Sequence, residues 1–225
     1  MIRVEHLTKC FEIHGHGPVV FDDLNLNLPS GRSVALVGGQ GAGHSTMLQM
    51  RAGYPWEETH ADLWAGLLSG HYPPLIEAFP LIADPGTEFH YSNLTSNWLG
   101  IIVDRSCGTN LKAYAEEHLF APLGIEPGEW GMDAEGHNNG CGDLHLRIRD
   151  AAKFGLLYLN GGEYQGEQII PADWVEASLQ SYTQDAHGEI SGKKVGRFFR
   201  DIGYGYQWWS ATVGDYHVDY AAGHG

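Results

Sequence analysis

The stretch PGTEFHYSNLTSNWLGIIVDRSCG, residues 85–108, decides how the chain is read. Its opening Pro-Gly pair is turn chemistry, because proline presets φ and glycine takes backbone conformations that other residues avoid. From Asn93 the residues read as a buried helix. Gly108 closes it, since glycine adopts the left-handed conformation that ends helices. At the head of that helix stand Tyr91, Ser92 and Asn93. One reading makes Asn93 the N-cap and Tyr91 a packing residue. A second gives Tyr91 and Asn93 chemical roles. The two are compatible at a helix start.

Working outward, the downstream sequence stays helical. NLKAYAEEHLFAPLG (110–124) has an asparagine able to cap, apolar residues at helical spacing and a Pro-Leu-Gly stop. RDAAKFGLLYLNGG (149–162) is another helix, stopped by Asn160, Gly161 and Gly162. Pro171 to Tyr182 reads as a short helix with Pro171 in its first turn. YGYQWWSATV (204–213) has the aromatic and β-branched bias of one strand, with no closing element expected before the terminal AAGHG. Upstream, ADLWAGLLSG (61–70) places Leu63, Leu67 and Leu68 on one helical face.

The first fifty residues differ in character. IRVEHL (2–7) and VVFDDLNLNL (19–28) alternate apolar and polar residues, as half-buried strands do, with HGHGP (14–18) as a turn between them. SVALV (33–37) is a short buried strand. GGQGAG (38–43) follows, and then STMLQM begins a helix. Strand, glycine loop and helix form a phosphate-binding arrangement, in which backbone N–H groups turn inward and a hydroxyl holds Mg²⁺. Gly38, Gly41, Gly43, Ser45 and Thr46 fit that pattern. His44 occupies the place of the expected lysine. A largely neutral imidazole on a shorter stem does not replace a fixed ammonium charge.

Composition narrows the function classes. Hydrophobic residues make up 43% and aromatics 12% of 225 residues, which is globular rather than disordered. A net charge of -15 repels phosphate backbones and argues against a nucleic-acid partner. Cys10, Cys107 and Cys141 are scattered and odd in number, so idle or buried thiols are expected rather than a disulfide framework. The histidines show no HExxH and no helical pair beside a carboxylate, so no metal site is assigned. No apolar run has membrane-spanning length, and the amino terminus is not a signal peptide. The chain as written is therefore placed in the cytoplasm, with no membrane span and an undetermined oligomeric state.

Two families are recognisable in these motifs. IRVEHLTKCFEI and VFDDLNLNLPSGRSVALVGGQGAGHST, residues 1–46 broadly, resemble the opening of an ABC-transporter ATP-binding subunit. That resemblance implies ATP and Mg²⁺ as ligands of this segment alone, with Phe11 near the place where that family stacks an aromatic on adenine. LLSGH (67–71) and IIVDR (101–105) look like pieces of its later motifs, but the first lies too close to the loop and Arg105 replaces the catalytic glutamate. Chance accounts for both.

Residues 47–225 resemble serine hydrolases of the β-lactamase and penicillin-binding-protein type. PGTEFHYSN (85–93), GDLHLRIRDAAKFGLLYLNGGEYQGEQIIPADWVEAS (142–178), GYGYQWW (203–209) and AAGHG (221–225) occur in the order that family has. The resemblance implies an α+β fold, here an incomplete β-lactamase/transpeptidase-like one, mainly its helical part, preceded by a β-rich segment ending in a P-loop-like turn. It implies no cofactor and a small-molecule ester, amide or β-lactam substrate, cleaved through an acyl-serine. Tyr91 would act as general base and acid, its phenol pKa lowered by neighbouring positive charge, and Asn93 would hold a substrate carbonyl. Ser92 would line the substrate site, and His224 with Gly225 would begin the last motif of the cleft. The serine-lysine pair, SxxK, should precede all of these. The one such sequence is Ser191 to Lys194, in a polar stretch after Tyr91 whose glycine suits a turn.

HSTMLQMRAG (44–53) satisfies both family patterns, so the junction is placed there and the chain is read as a chimera. The parent hydrolase could belong to the periplasm or be secreted. Three functions follow: a hydrolase by family, inactive here for want of SxxK; a nucleotide-binding module; or a non-catalytic remnant. With part of its sheet replaced, the helical body is expected to expose apolar surface.

Overall fold

The computed structural model describes residues 2–10, 19–28, 61–72, 81–84, 86–183 and 198–222, and for 2–10 and 19–28 the backbone course alone. The two alternating segments form β1 (Ile2–Cys10) and β2 (Val19–Leu28). They pair antiparallel, from Ile2 opposite Leu28 to Cys10 opposite Val19, with shifts of register between. The expected strand 33–37 and the glycine loop lie outside the described residues. Helix α1 (Ala61–Leu68) is where the leucine spacing places it, although Leu68 at its end is 70% exposed.

Helix α2 (Asn93–Cys107) carries the deciding stretch. Its cap is Ser92, not Asn93: the Ser92 backbone is extended and its hydroxyl accepts from the Thr95 N–H at 3.1 Å. The physical reason is spacing, since an N-cap oxygen serves the N–H of the second or third helical residue. Gly108 closes the helix as expected, at φ 65°, donating to the Asp104 carbonyl at 3.0 Å. IIVDR is therefore helical and forms no acidic strand end.

The segment expected as one helix over 110–124 divides. Asn110 caps α3 (Leu111–Ala115), accepting from Ala113 N–H at 2.8 Å. The chain then widens into a π-helical turn, Glu116–Phe120, before the Pro-Leu-Gly stop. Its wider bonds, such as Ile125 N–H to the Phe120 carbonyl at 2.8 Å, accompany burial of Phe120. Helix α4 (Ile148–Leu159) agrees with expectation. The Gly161–Gly162 pair then leads into a hairpin missed in the sequence, β3 (Glu163–Tyr164) with β4 (Glu167–Gln168). Gln165 and Gly166 both take positive φ at its turn. Helix α5 (Ala172–Leu179) starts one residue after Pro171, which precedes the helix rather than lying in its first turn.

The single strand expected at 204–213 is two strands. β5 (Phe199–Tyr204) ends at the residue that opens the expected strand, a turn occupies 205–208, and β6 (Trp209–Val213) returns antiparallel. β7 (Tyr216–Tyr220) then closes a three-stranded sheet, where no further element was expected. Val213 pairs with Tyr216 across Gly214 and Asp215, a Gly-Asp pair of the kind that joins two strands in a two-residue hairpin.

Among the described residues, apolar clusters form around the π turn and on the inner face of the sheet. Phe120, Leu123, Ile125 and Leu157 bring the π turn and α4 together, with Trp130 and Phe154 against them. Ile202, Tyr204, Trp209 and Ala211 form the inner face of the sheet, with Phe89 and Tyr91 packed on it. Among the described residues the free cysteines Cys107 and Cys141 are exposed rather than buried. No helix among them is long and apolar enough to cross a membrane. Apolar surface is left open, as at Ile148 and Leu159.

Candidate functional site

Tyr91, Ser92 and Asn93 lie where the segment that follows the turn at Gly86 enters α2. Ser92 is 2% exposed and committed to capping, so its hydroxyl belongs to the helix start. Tyr91 and Asn93 are half-buried on either side of it. The extended backbone at Ser92 turns successive side chains in opposite directions, which buries the cap and leaves its neighbours partly open.

Tyr91 leans on an aromatic wall built by the sheet. Its ring stacks on Trp209, with centroids 5.7 Å apart, and meets the edge of Tyr204 at 6.2 Å. Phe89 extends the wall, 5.2 Å from Tyr204, and Tyr204 meets Trp209 at 4.7 Å. Tyr204 and Trp209 face each other across the β5–β6 ladder, so strand register fixes the wall. Burial, and after it the neighbouring Tyr91, pushes the Tyr204 phenol well above its ordinary pKa. A second phenolate near Tyr91 is thereby disfavoured.

The start of α2 is clasped from two sides. Gln207, at positive φ in the β5–β6 turn, points its amide at the Ser96 hydroxyl, 3.5 Å away. On the other side Cys141 N–H donates to Asn97 Oδ1 at 3.0 Å. Gly140 lies so close to the Ser96 carbonyl that a Cβ there would collide with backbone. Trp98 Nε1–H donates to the Tyr72 carbonyl at 3.1 Å. The Tyr72 phenol is raised, first by burial and then by Cys141, Asp133 and Asp143. These contacts give the Tyr91–Asn93 segment a fixed base. Sequence reading missed Ser96, Gln207, Tyr204 and Trp209 as its surroundings. The aromatic repetition in GYGYQWW was the signal that could have found two of them.

The other candidate residues are not among those the structure describes. Phe11, Gly38, Gly41, Gly43, Ser45, Thr46, His224 and Gly225 lie outside the described residues, as do Ser191 to Lys194. A surface hollow of about 670 Å³ is lined by residues including Asn110, Lys112, Glu129, Asn138 and Asp143, and takes nothing from Tyr91–Asn93. Among the described residues no three histidine, cysteine or acidic side chains are grouped to hold a metal ion.

A family model for β-lactamases matches residues 45–224, and the chain belongs to the beta-lactamase family. The 6-aminohexanoate-dimer hydrolase of Paenarthrobacter ureafaciens is 28% identical over 131 residues, 57% of this chain and 33% of that protein. The structure of the octameric penicillin-binding protein homologue from Pyrococcus abyssi matches with a TM-score of 0.57 at 19% identity, covering 77% of this chain and 44% of the other. A shorter similarity is of another kind: the polysialic acid transport ATP-binding protein KpsT of Escherichia coli is 49% identical over 53 residues, 24% of each chain. The chain thus spans a third or less of the curated relatives it matches.

Proposed function

We propose that residues 47–225 are a serine-hydrolase body of the β-lactamase type, and that this chain does not turn over substrate. The observation that carries the reading is Tyr91-Ser92-Asn93 at the capped, clasped start of α2, against the sheet's aromatic wall. In this reading Tyr91 Oη receives and returns the proton of an acyl transfer, and Asn93 holds the carbonyl of a small ester, amide or β-lactam. Ser92 lines the site from its cap position. His224 and Gly225 would complete its far edge.

The nucleophile is the missing part. No serine ahead of Tyr91 is followed three residues later by lysine. Electrostatic and positional contributions persist without a nucleophile, but an acyl-enzyme does not form. In this reading residues 1–46 are a separate segment of phosphate-loop-like sequence, and the local identity to an ATP-binding protein supports that division. His44 weakens its hold on nucleotide.

Incubation with a fluorescent penicillin and with a chromogenic ester tests the proposal. The expected result is neither covalent labelling nor turnover above background. Turnover that disappears in Tyr91→Phe would overturn the inactivity while supporting the site. Turnover indifferent to Tyr91→Phe and Asn93→Ala would overturn the site. Saturable binding of a fluorescent ATP analogue with Mg²⁺ would instead favour the nucleotide module.

A further inference from the structure

We infer that Gln207 is a positioning residue for Tyr91: its side chain, reaching from the β5–β6 turn to Ser96, sets the angle at which the Trp209 ring meets the Tyr91 ring. The consequence for chemistry rests on Tyr91 being the proton-transfer group, while the consequence for geometry does not.

The turn at 205–208 places its glycine where a Cβ has no room. At Gly205 the Ser178 carbonyl stands in the way, and the Gln180 carbonyl lies 2.8 Å from where a Cβ would be. The left-handed position of the turn falls instead on Gln207, at φ 65°. Glycine takes that conformation without strain and glutamine does not. The other positive-φ residues have local reasons. Asp143 and Asp201 carry short polar side chains that tolerate it, and Gln165 precedes Gly166 in the β3–β4 turn. Strain of this kind persists where neighbouring structure holds the residue, so what the Gln207 side chain touches matters.

Each residue after that glycine meets a different element. Tyr206 N–H donates to the Ser178 carbonyl near the end of α5, and its ring stacks on Tyr182 at 5.0 Å and meets Trp174 at 5.4 Å. Trp208 packs on Tyr158 of α4, with centroids 4.4 Å apart. Gln207 turns to α2, its Nε2 donating to Ser96 Oγ at 3.5 Å. Ser96 is buried and lies one helical turn beyond Ser92, on the same face of the helix. The start of α2 and the start of β6 are thereby joined at two points. Tyr91 stacks on Trp209 at 5.7 Å with 22° between the ring planes, and Ser96 meets Gln207. One contact is a pivot, and a second removes the rotation about it. At 3.5 Å the hydrogen bond is long, so it contributes direction rather than strength.

Fluorine NMR of the full chain carrying fluorotyrosine reads the placement of Tyr91, whose resonance is assigned by its loss in Tyr91→Phe. The ring current of Trp209 makes that resonance sensitive to the angle between the two rings. Gln207→Gly relaxes the backbone and removes the amide, and should shift the Tyr91 resonance by more than its linewidth. Ser96→Ala should shift it in the same direction, and the double variant should shift it no further. Gln207→Glu keeps the length and can accept from the Ser96 hydroxyl, so it should leave the resonance near its wild-type position. A Tyr91 resonance unmoved in both Gln207→Gly and Ser96→Ala overturns the inference. So do shifts that add in the double variant, since the two side chains would then act separately. The measurement needs no turnover. Turnover indifferent to Tyr91→Phe would remove the proton-transfer reading alone, so the two failures are told apart.

Discussion

The helical cluster and the sheet cluster are built by different chemistry. Around Phe120, Leu123, Ile125 and Leu157 the enclosed side chains are aliphatic or phenyl. Around Ile202 and Ala211 they include Tyr204 and Trp209, with Tyr91 and Tyr220 at the margin. The first region contributes packing alone. The second forces polar tips into a poorly hydrated place, leaving Tyr220 Oη without a partner among the described residues and raising the phenols of Tyr204 and Tyr220 through burial. The difference is one of environment: the helical cluster is packing alone, whereas the sheet places a low-dielectric aromatic wall beside Tyr91.

Truncation separates the two regions most sharply. Trp209→Ala should cost about 3–5 kcal/mol in urea unfolding and remove much of the near-ultraviolet dichroism, because Trp209 touches Phe89, Tyr91 and Tyr204 together. Leu157→Ala should cost about 2–4 kcal/mol and leave that dichroism largely intact. Equal loss of the signal in both variants would show that the clusters melt as one core. A smaller effect is expected at the joint between site and helix. Ser92→Ala should lower stability by about 1 kcal/mol, and Ser92→Asp, which keeps an N-cap oxygen, should recover much of it.

The smallest effect at neutral pH concerns Tyr204. Its folded pKa lies above the unfolded value of about 10, so the folded state holds its proton longer. The stability this gives is complete below pH about 10 and is lost as pH rises through the folded value. Tyr204→Phe should flatten the loss of stability in alkali while changing little at pH about 7. An unchanged alkaline limb would show that Tyr204 is solvated in the folded protein.

Much of the helical body was readable because helices are local. The spacing in 93–108 and 149–162, the Asn110 cap and the Gly108 stop all act within a few residues of themselves. Errors gathered where a local signal had two outcomes. Ser92 and Asn93 are both good caps, and the hydrogen bond to Thr95 chose Ser92. YGYQWWSATV has strand composition throughout, but nothing in it announces a reversal at Gly205. That turn is held from outside, by Tyr206 N–H donating to the Ser178 carbonyl at 2.9 Å and by Gln207 reaching Ser96.

Sequence by itself determined the family membership, the place of Tyr91 and Asn93 at a helix head, and the absence of a serine-lysine pair ahead of them. Motif order and residue identity are linear properties, so no folding was needed to read them. Tertiary structure alone decided what surrounds Tyr91. Trp209 and Tyr204 come to it from more than a hundred residues away, through strand pairing. It alone also showed that α4 keeps a second apolar face in solvent. A helical period states that a face is apolar, and only the packed neighbours state which face is covered.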